Sequence, residues 1–453
     1  MKKFDAIIIG SGQAGTPLAF TLAGEGKKIA FIEKKHFGGT CVNNGCTPTK
    51  AYVASARKMW DAKHADELGV HIPKGVYADL KKIKQRKNQI IQPSVQGIEQ
   101  GAKNHENITV YEGTAKFEAE KTITINEEQI NAPEIFINVG ARPVIPEDFQ
   151  QADPLTNETI LELEQLPEHL IVIGGSYIGL EFGQMFRRFG SKVTIVEKGS
   201  KLIGKEDESI SDHIYNFLKE EDIDIRLHSS CIGAARNKDG SVTISINCKG
   251  EKSTVTGSHI LVATGRQPNT DILNLDAAGI KTNKKGFIET DDYLETNIEG
   301  IFALGDCNGK GAFTHTAYND YEIIMHNRSH DEKRKVSDRI MTYALFTDPP
   351  LGRAGYTKKA ALEKGFHVTE NTLPMSHVAR AKEKGETKGM MQVILEEDSG
   401  KILGAAILGV GGDEIISSIL HVMQGGLTWD IVKNAVKPHP TVSELLPFLK
   451  EKG

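Results

Sequence analysis

Cysteine is scarce, with five among 453 residues. That excludes a disulfide scaffold. The odd count suits a reducing compartment, where a close pair is redox-active rather than structural. No run of about 18 apolar residues occurs, so no membrane span is expected. Charge of either sign is not in large excess. The formal net charge of −5 points to no nucleic-acid partner, and the lysine-rich stretch 81–87 reads as a solvated helix face. Of the two tryptophans, Trp60 and Trp429 read as packing residues. The opening MKKFDAIIIG has basic residues before apolar ones, as a signal peptide does, but it runs straight into a glycine-rich turn. It reads as a first β-strand, and a cytoplasmic protein is expected. No Cys/His cluster has zinc spacing, so no metal site is expected.

What is abundant is glycine, placed at the same points of two similar segments. DAIIIGSGQAGTPLAFTLAGEGKKIAFIE and LIVIGGSYIGLEFGQMFRRFGSKVTIVE both read strand, glycine-rich turn, helix, strand. Gly10, Gly12 and Gly15 align with Gly174, Ser176 and Gly179, and Glu33 aligns with Glu197 at the same distance from the first glycine. Each has a later echo, IFINVGARPVIP around Gly140 and ILVATGRQPN around Gly265. The strands are apolar without alternation, as parallel strands buried on both faces are. In a dinucleotide fingerprint the first glycine makes the tight turn and the second lets the backbone approach the pyrophosphate. The third packs helix on strand, the helix N-terminus faces the phosphates, and the distal acid accepts from a ribose. Glu197 at that acid position repels a 2′-phosphate, so NADH is expected over NADPH, with Lys198 and Lys201 close enough to soften the preference. Ser176 replaces the middle glycine and is expected to be tolerated beside Gly175 and Gly179.

The segment GGTCVNNGCTPTK places Cys41 and Cys46 five positions apart. In an ideal helix five residues rise about 7.5 Å, beyond the roughly 7 Å Cα separation a disulfide allows. A redox pair therefore requires a break in the helix, which Asn43, Asn44 and Gly45 make cheap. A metal site and two unrelated buried cysteines are the competing readings; the first needs more soft ligands than this pair.

Together with GIFALGDCNG, ALFTDPPLGRAGYT and KPHPTVSELLP, in that order, this segment makes the chain resemble the pyridine nucleotide–disulfide oxidoreductases. These include dihydrolipoamide dehydrogenase, glutathione reductase and mercuric reductase. The resemblance covers nearly the whole chain. It implies that Cys41 is the thiol that attacks substrate and Cys46 the thiol lying against the flavin as a charge-transfer thiolate. Lys50 would sit by the flavin ring, paired with Glu181, and Asp306 would bind the ribityl chain. His439 would be the general acid/base, oriented by Glu444, and would act on the partner subunit across a homodimer, with a cis His439–Pro440 bond. His315 lies near the flavin or plays a structural role. Cys231, Cys248 and Cys307 read as small apolar fillers or ordinary surface thiols.

The expected fold is α/β: two Rossmann-like dinucleotide-binding domains, for FAD and NAD(P), and a C-terminal α+β dimerisation domain. The FAD domain is expected over 1–150 and 271–337, the NAD(P) domain over 151–270, and the interface domain over 338–453. The stretch 150–157 would connect the first two. Gly10, Gly12, Gly15, Glu33, Gly140 and Asp306 would bind FAD; Gly174, Ser176, Gly179, Glu197 and Gly265 would bind NAD(P). MQVILEE and ILGAAILGV should form a sheet, covered by a helix over 413–425. Electrons would pass from NADH, or NADPH, through FAD to the Cys41–Cys46 disulfide and on to a small disulfide, dithiol or lipoyl-type substrate. Two alternatives remain: a mercuric-reductase-like Hg or Cu ion reductase, although the chain ends in LKEKG without a vicinal Cys pair, and a redox-silent flavin-binding scaffold.

Overall fold

The computed structural model describes residues 1–451 except Lys74 and Lys249. The chain divides into two compact units, the first made of Met1–Ala51, Lys84–Val144 and Gly265–Arg339, the second of Tyr52–Ile83, Ile145–Thr264 and Ile340–Gly453.

The first unit is built on a parallel five-stranded sheet in the order Ile301–Ala303, Glu134–Ile137, Ala6–Ile9, Ile29–Glu33, Ile108–Glu112. Ala6–Ile9 is buried along its whole length. Its side chains feed two different cores, Ile7 and Ile9 on one face and Ala6 and Ile8 on the other. That is why the sequence shows an unbroken apolar run rather than alternation. Helix Gly15–Gly24 makes the crossover and buries Leu18, Ala19, Leu22 and Ala23. A second, four-stranded sheet contains Lys2–Lys3, Glu128–Asn131, Thr122–Ile125 and Lys116–Ala119. Ala141–Pro143 pairs with Arg266–Pro268 as a short antiparallel ribbon.

The second unit repeats the parallel arrangement. Its four-stranded sheet runs Asp224–Arg226, Lys192–Val196, His169–Ile173, His259–Val262. Helix Tyr177–Phe189 joins the two middle strands and buries most of its length. The stretch 150–157 is tied to this sheet, with Leu155 forming a parallel bridge to Leu261. An antiparallel meander, Ser229–Arg236, Val242–Cys248 and Glu251–Gly257, follows. The C-terminal part is a six-stranded antiparallel sheet in which Met390–Glu396 and Ile402–Leu408 are neighbours. Helix Gly412–Gln424 presents Ile416 and Ile419 to the core that this sheet buries.

One surface expectation is corrected. Lys87 is 1% exposed, so the stretch 81–87 is not uniformly solvated. Helix Leu80–Asn104 rotates that position inward, which a count of charges cannot detect.

Candidate active site

In the first unit the glycine-rich turn leaves Ile9 and bends tightly at Gly10, whose φ is 102°. A side chain there would place a Cβ 2.3 Å from the Asn138 carbonyl oxygen, and one at Gly15 would lie 2.1 Å from the Gly10 oxygen. Both glycines are therefore demanded by close backbone approach. At Gly12 a Cβ would meet Asn138 Oδ1 at 2.5 Å. Asn138 ties the turn from behind: Oδ1 accepts from Gly15 N at 2.9 Å and Nδ2 donates to Leu304 O at 2.8 Å. Glu33, at the end of the next strand, accepts from Ser11 N at 2.9 Å and Ser11 Oγ at 2.6 Å.

Gly140 has φ 66°, and its carbonyl accepts from Asn269 N at 3.0 Å, while Val144 N donates to Gly265 O at 3.1 Å. These bonds flank the ribbon that carries Arg266. Arg266 Nε lies 3.6 Å from an oxygen of Asp306, at the mouth of the turn Gly305–Asn308. Burial pushes the Asp306 carboxyl above the usual carboxylate range, against the pull of Arg266. Asp320 braces the same turn, accepting from Gly305 N at 2.7 Å and Asn308 Nδ2 at 3.0 Å, and is itself ion-paired with Arg339.

The cysteine segment breaks where its composition permits. One short helix spans Gly39–Asn43, Asn44 leaves helical geometry at φ −148°, ψ 21°, and a new helix, Cys46–Lys63, starts at the second cysteine. Asn43 Nδ2 fastens the break by donating to Phe37 O at 2.9 Å and Gly39 O at 2.8 Å. The two sulfurs are not joined in a disulfide, and Cys41 is half-buried while Cys46 is exposed. Hydrogen bonding with Cys46 and burial together push the Cys41 thiol well above its ordinary range, so Cys41 holds its proton. Cys46 Sγ lies 3.2 Å from Thr314 Oγ1. Lys50 follows one turn along the same helix, and His315 stacks on Phe313 with centroids 5.4 Å apart.

The second unit contains the same glycine logic. Gly174 has φ 111°, a Cβ there would lie 2.5 Å from Ala263 O, and one at Gly179 would lie 2.0 Å from Gly174 O. Ser176 adopts extended backbone as the residue before helix Tyr177–Phe189, a position that accepts a side chain. Glu197 takes Gly175 N at 2.7 Å and Gly199 N at 2.6 Å, as Glu33 takes Ser11 in the first unit. Glu181 accepts from Phe346 N at 3.0 Å.

Near the C-terminus, His439 Nδ1 lies 2.9 Å from Glu444 Oε2, with the imidazole side chain 78% exposed and the carboxylate 15%. The His439–Pro440 bond is cis, as the resemblance implies, and so is Asp348–Pro349. Three residues before the histidine, Val436 is fully exposed.

Sequence reasoning missed Ser11, Asn138, Thr314 and Asp320. The only sequence signal for them was adjacency to motifs: Asn138 sits two residues before Gly140, and Thr314 opens the helix after the Asp306 turn.

Two family profiles match the chain: "Pyridine nucleotide-disulphide oxidoreductase" over residues 4–320, and its dimerisation domain over residues 341–448. The chain belongs to the pyridine nucleotide–disulphide oxidoreductase family. Among relatives, it is 33% identical to the probable pyridine nucleotide-disulfide oxidoreductase RclA of Escherichia coli (strain K12) over 98% of each chain. It is 32% identical to a mercuric reductase of Staphylococcus aureus over 97% of this chain and 81% of that one. With the dihydrolipoyl dehydrogenase of Bacillus subtilis (strain 168) the identity is 29%, over 97% of this chain and 94% of that one. A solved structure, the Cu(II) complex of the HOCl-induced flavoprotein disulfide reductase RclA from Escherichia coli, superposes with a TM-score of 0.89 at 33% identity over 99% of each chain.

As a member of this pyridine nucleotide–disulphide oxidoreductase family, the protein is an FAD-dependent oxidoreductase with a dimerisation domain. The first unit fits that cofactor. Asp306, in the turn Gly305–Asn308, is a largely buried acid for which hydroxyl donors would be welcome. The remaining cysteines have no such setting. Cys307 is fully buried, donates to Ile137 O and Leu304 O at 3.4 and 3.3 Å, and is pushed up to about 12 by burial. Cys231, half-buried, is pushed up to about 11 for the same reason. Trp429 is a core residue, while Trp60 lies under the Arg188 guanidinium at 4.4 Å. No described helix is long and apolar enough to cross a membrane, and no described group of three or more His, Cys, Asp or Glu is arranged to hold a metal ion.

Proposed function

We propose that this protein is an NADH-using disulfide reductase whose working thiols are Cys41 and Cys46 and whose acceptor is a small disulfide. The observation that carries the reading is the broken helix that brings the Cys41 and Cys46 sulfurs into hydrogen-bond contact within the flavin-type unit. In this reading 1–150 and 271–337 hold FAD, 151–270 holds the nicotinamide nucleotide, and 338–453 forms the homodimer.

Gly10, Gly12, Gly15 and Gly140 leave backbone room for the FAD pyrophosphate, Glu33 accepts from its ribose, Asp306 from its ribityl hydroxyls, and Lys50 lies by the ring. Bound FAD supplies the relay that carries two electrons from the nicotinamide to the Cys41–Cys46 disulfide. Gly174, Ser176, Gly179 and Gly265 seat the nicotinamide nucleotide, and Glu197 takes its ribose hydroxyls. Preference for NADH is supported by the electrostatics around Glu197. Lys201 is spent on the Glu206 carbonyl and Arg226 on Asp224 at 3.0 Å, so neither is held ready for a 2′-phosphate.

Cys41 needs a base, because its proton is held by Cys46 and by burial and only a thiolate attacks disulfides well. His439 of the partner subunit takes that role, its tautomer set by Glu444 on Nδ1 so that Nε2 is the working nitrogen. The exposure of His439 and of Val436 in the single chain supports a partner covering this segment. The Cys41 thiolate attacks one substrate sulfur, a mixed disulfide forms, and the departing thiolate takes the proton from His439. The Cys46 thiolate then attacks the Cys41 sulfur, the Cys41–Cys46 disulfide forms, and the second substrate sulfur leaves as a thiolate.

Reduction of a soft metal ion at the same thiols is a second reading. It is favoured by the mercuric reductase relative and by the solved Cu(II) complex. The test is NADH and NADPH oxidation by FAD-loaded protein with lipoamide, glutathione disulfide, coenzyme A disulfide, Hg²⁺ or Cu²⁺. Turnover with a disulfide, lost in Cys41→Ser, is expected. Turnover with the ions alone would transfer the assignment to the second reading. In Cys46→Ser the long-wavelength absorbance that NADH produces should vanish; its survival would overturn the thiol roles.

A further inference from the structure

Helix Thr314–Ser329 packs on the turn Gly305–Asn308 that carries Asp306. Two of its residues, one helical turn apart, meet it. A Cβ at Gly305 would lie 3.1 Å from the Ala317 Cβ, so the helix comes as near as a glycine allows. Asp320, 2% exposed, accepts from Gly305 N at 2.7 Å and from Asn308 Nδ2 at 3.0 Å, both on Oδ2. Gly305 is the first residue of the turn and Asn308 the last, so one carboxylate oxygen closes both ends. Asn308 Nδ2 also donates to Ala303 O at 3.0 Å, at the end of strand Ile301–Ala303. The other oxygen of Asp320 is held by Arg339 Nη2, and Arg339 Nε donates to Asn319 Oδ1 at 2.9 Å. A buried carboxylate needs such a partner to stay ionised.

We propose that Asp320 is a positioning residue for the flavin: by closing both ends of the Gly305–Asn308 turn it fixes the backbone from which Asp306 reaches the ribityl chain, and Arg339 holds it there. The proposal rests on the reading of Asp306 as the acid that takes the ribityl hydroxyls. Asp320 also acts on Asp306 through space. The groups facing Asp306 are Arg266, from the ribbon strand Arg266–Pro268, Asp320, from the helix, and Cys307, beside it in the turn. Burial raises the Asp306 carboxyl, Arg266 pulls it down, and the like charge of Asp320 pushes it up again. Cys307 keeps its proton and adds no charge. A carboxylate holds hydroxyl donors better than its acid does. FAD should therefore be released as pH falls through the Asp306 value. Without the Asp320 charge that value is lower, so release moves to lower pH. The brace and the charge thus have separable effects, one on retention at neutral pH and one on the pH of release.

The test is FAD release from the loaded protein, followed by flavin fluorescence from about pH 4 to about pH 8. Each Asp320 variant also carries Arg339→Met, so that no buried cation is orphaned. Asp320→Ala with Arg339→Met removes the brace. Its FAD dissociation constant at neutral pH should rise about 10- to 100-fold, the size of a lost hydrogen bond to a charged group. Asp320→Asn with Arg339→Met keeps an acceptor for Gly305 N and lacks the charge. It should hold FAD within about fivefold of the wild type at neutral pH and release it at a lower pH. Simple loss of packing would weaken retention at every pH in both variants and leave the midpoint in place. An alanine variant within about threefold of the wild type would overturn the proposal. So would an asparagine variant as leaky as the alanine one, or one whose release midpoint is not below the wild type's. If the alanine variant does not fold, the midpoint of the asparagine variant decides. Asp306→Ala separates the two layers. If it retains FAD as the wild type does, the reading of Asp306 fails; if it releases FAD while the alanine variant of Asp320 does not, only the role of Asp320 fails.

Discussion

Arg353→Met should destabilise the second unit severely, and removing its partner as well should repair most of the damage. Arg353 lies in strand Leu351–Gly355 with its side chain 1% exposed, and Glu206 opposite is 0% exposed. The guanidinium Nε reaches both Glu206 oxygens, at 3.1 and 3.3 Å, and Nη2 bonds Glu206 and reaches Asp207 at 3.4 Å. Tyr343 also donates to Glu206. Removing the arginine leaves a buried carboxylate with its main counter-charge gone, which costs about 3–5 kcal/mol. Domains have only about 5–15 kcal/mol in hand. At about 2–4 °C per kcal/mol for a unit of this size, the unfolding midpoint should fall by roughly 6–20 °C. Replacing both groups by apolar residues, Arg353→Met with Glu206→Leu, removes the orphaned charge and should return most of that loss. Thermal unfolding by circular dichroism, alongside flavin release by fluorescence, measures both. A single variant within about 2 °C of the wild type, or a double variant as unstable as the single, would refute the reasoning.

Further expectations concern the first unit and acid stability. Gly15→Ala would set a Cβ 2.1 Å from the Gly10 oxygen and should yield protein that does not retain FAD, whereas Gly24→Ala, with nothing within 4 Å, should leave flavin content unchanged; absorbance at the flavin band after desalting distinguishes them. Asn138→Ala removes the bonds to Gly15 N and Leu304 O; Leu304 O keeps the Cys307 thiol, while Gly15 N loses its side-chain acceptor. A loss of about 1–3 kcal/mol in denaturant titration is expected. Burial alone would raise the Asp348 carboxyl, but Arg188 and Arg57 beside it prevail and hold it below the usual range. A depressed carboxylate contributes stability that is fully present above its unfolded value of about 3.9 and is lost as pH falls through the folded one. Urea midpoints of wild type and Asp348→Asn should therefore differ at pH 6 and converge below about pH 4; a constant gap would contradict this.

Local pattern carried a large part of this structure. Parallel strands buried on two faces must be apolar throughout, and tight turns must be glycine wherever a Cβ would strike a carbonyl. Ala6–Ile9, Gly10, Gly15 and their counterparts Leu170–Ile173, Gly174 and Gly179 were therefore legible from spacing. The helix break at Asn44 was legible too, since two cysteines five apart are too far along an ideal helix to meet. Composition failed at Lys87, because a charge run does not state which face of helix Leu80–Asn104 meets solvent.

The sequence by itself determined the two nucleotide-type folding units, the position of the thiol pair and the acids that end the strands, because each is a short-range demand of backbone geometry. Only the tertiary structure decided that Asn138 ties Gly15 to Leu304, that Asp320 braces the Asp306 turn, and that Thr314 meets Cys46. Those bonds join residues from 15 to 268 positions apart. A hydrogen bond is satisfied by proximity in space, which no local pattern of residues encodes.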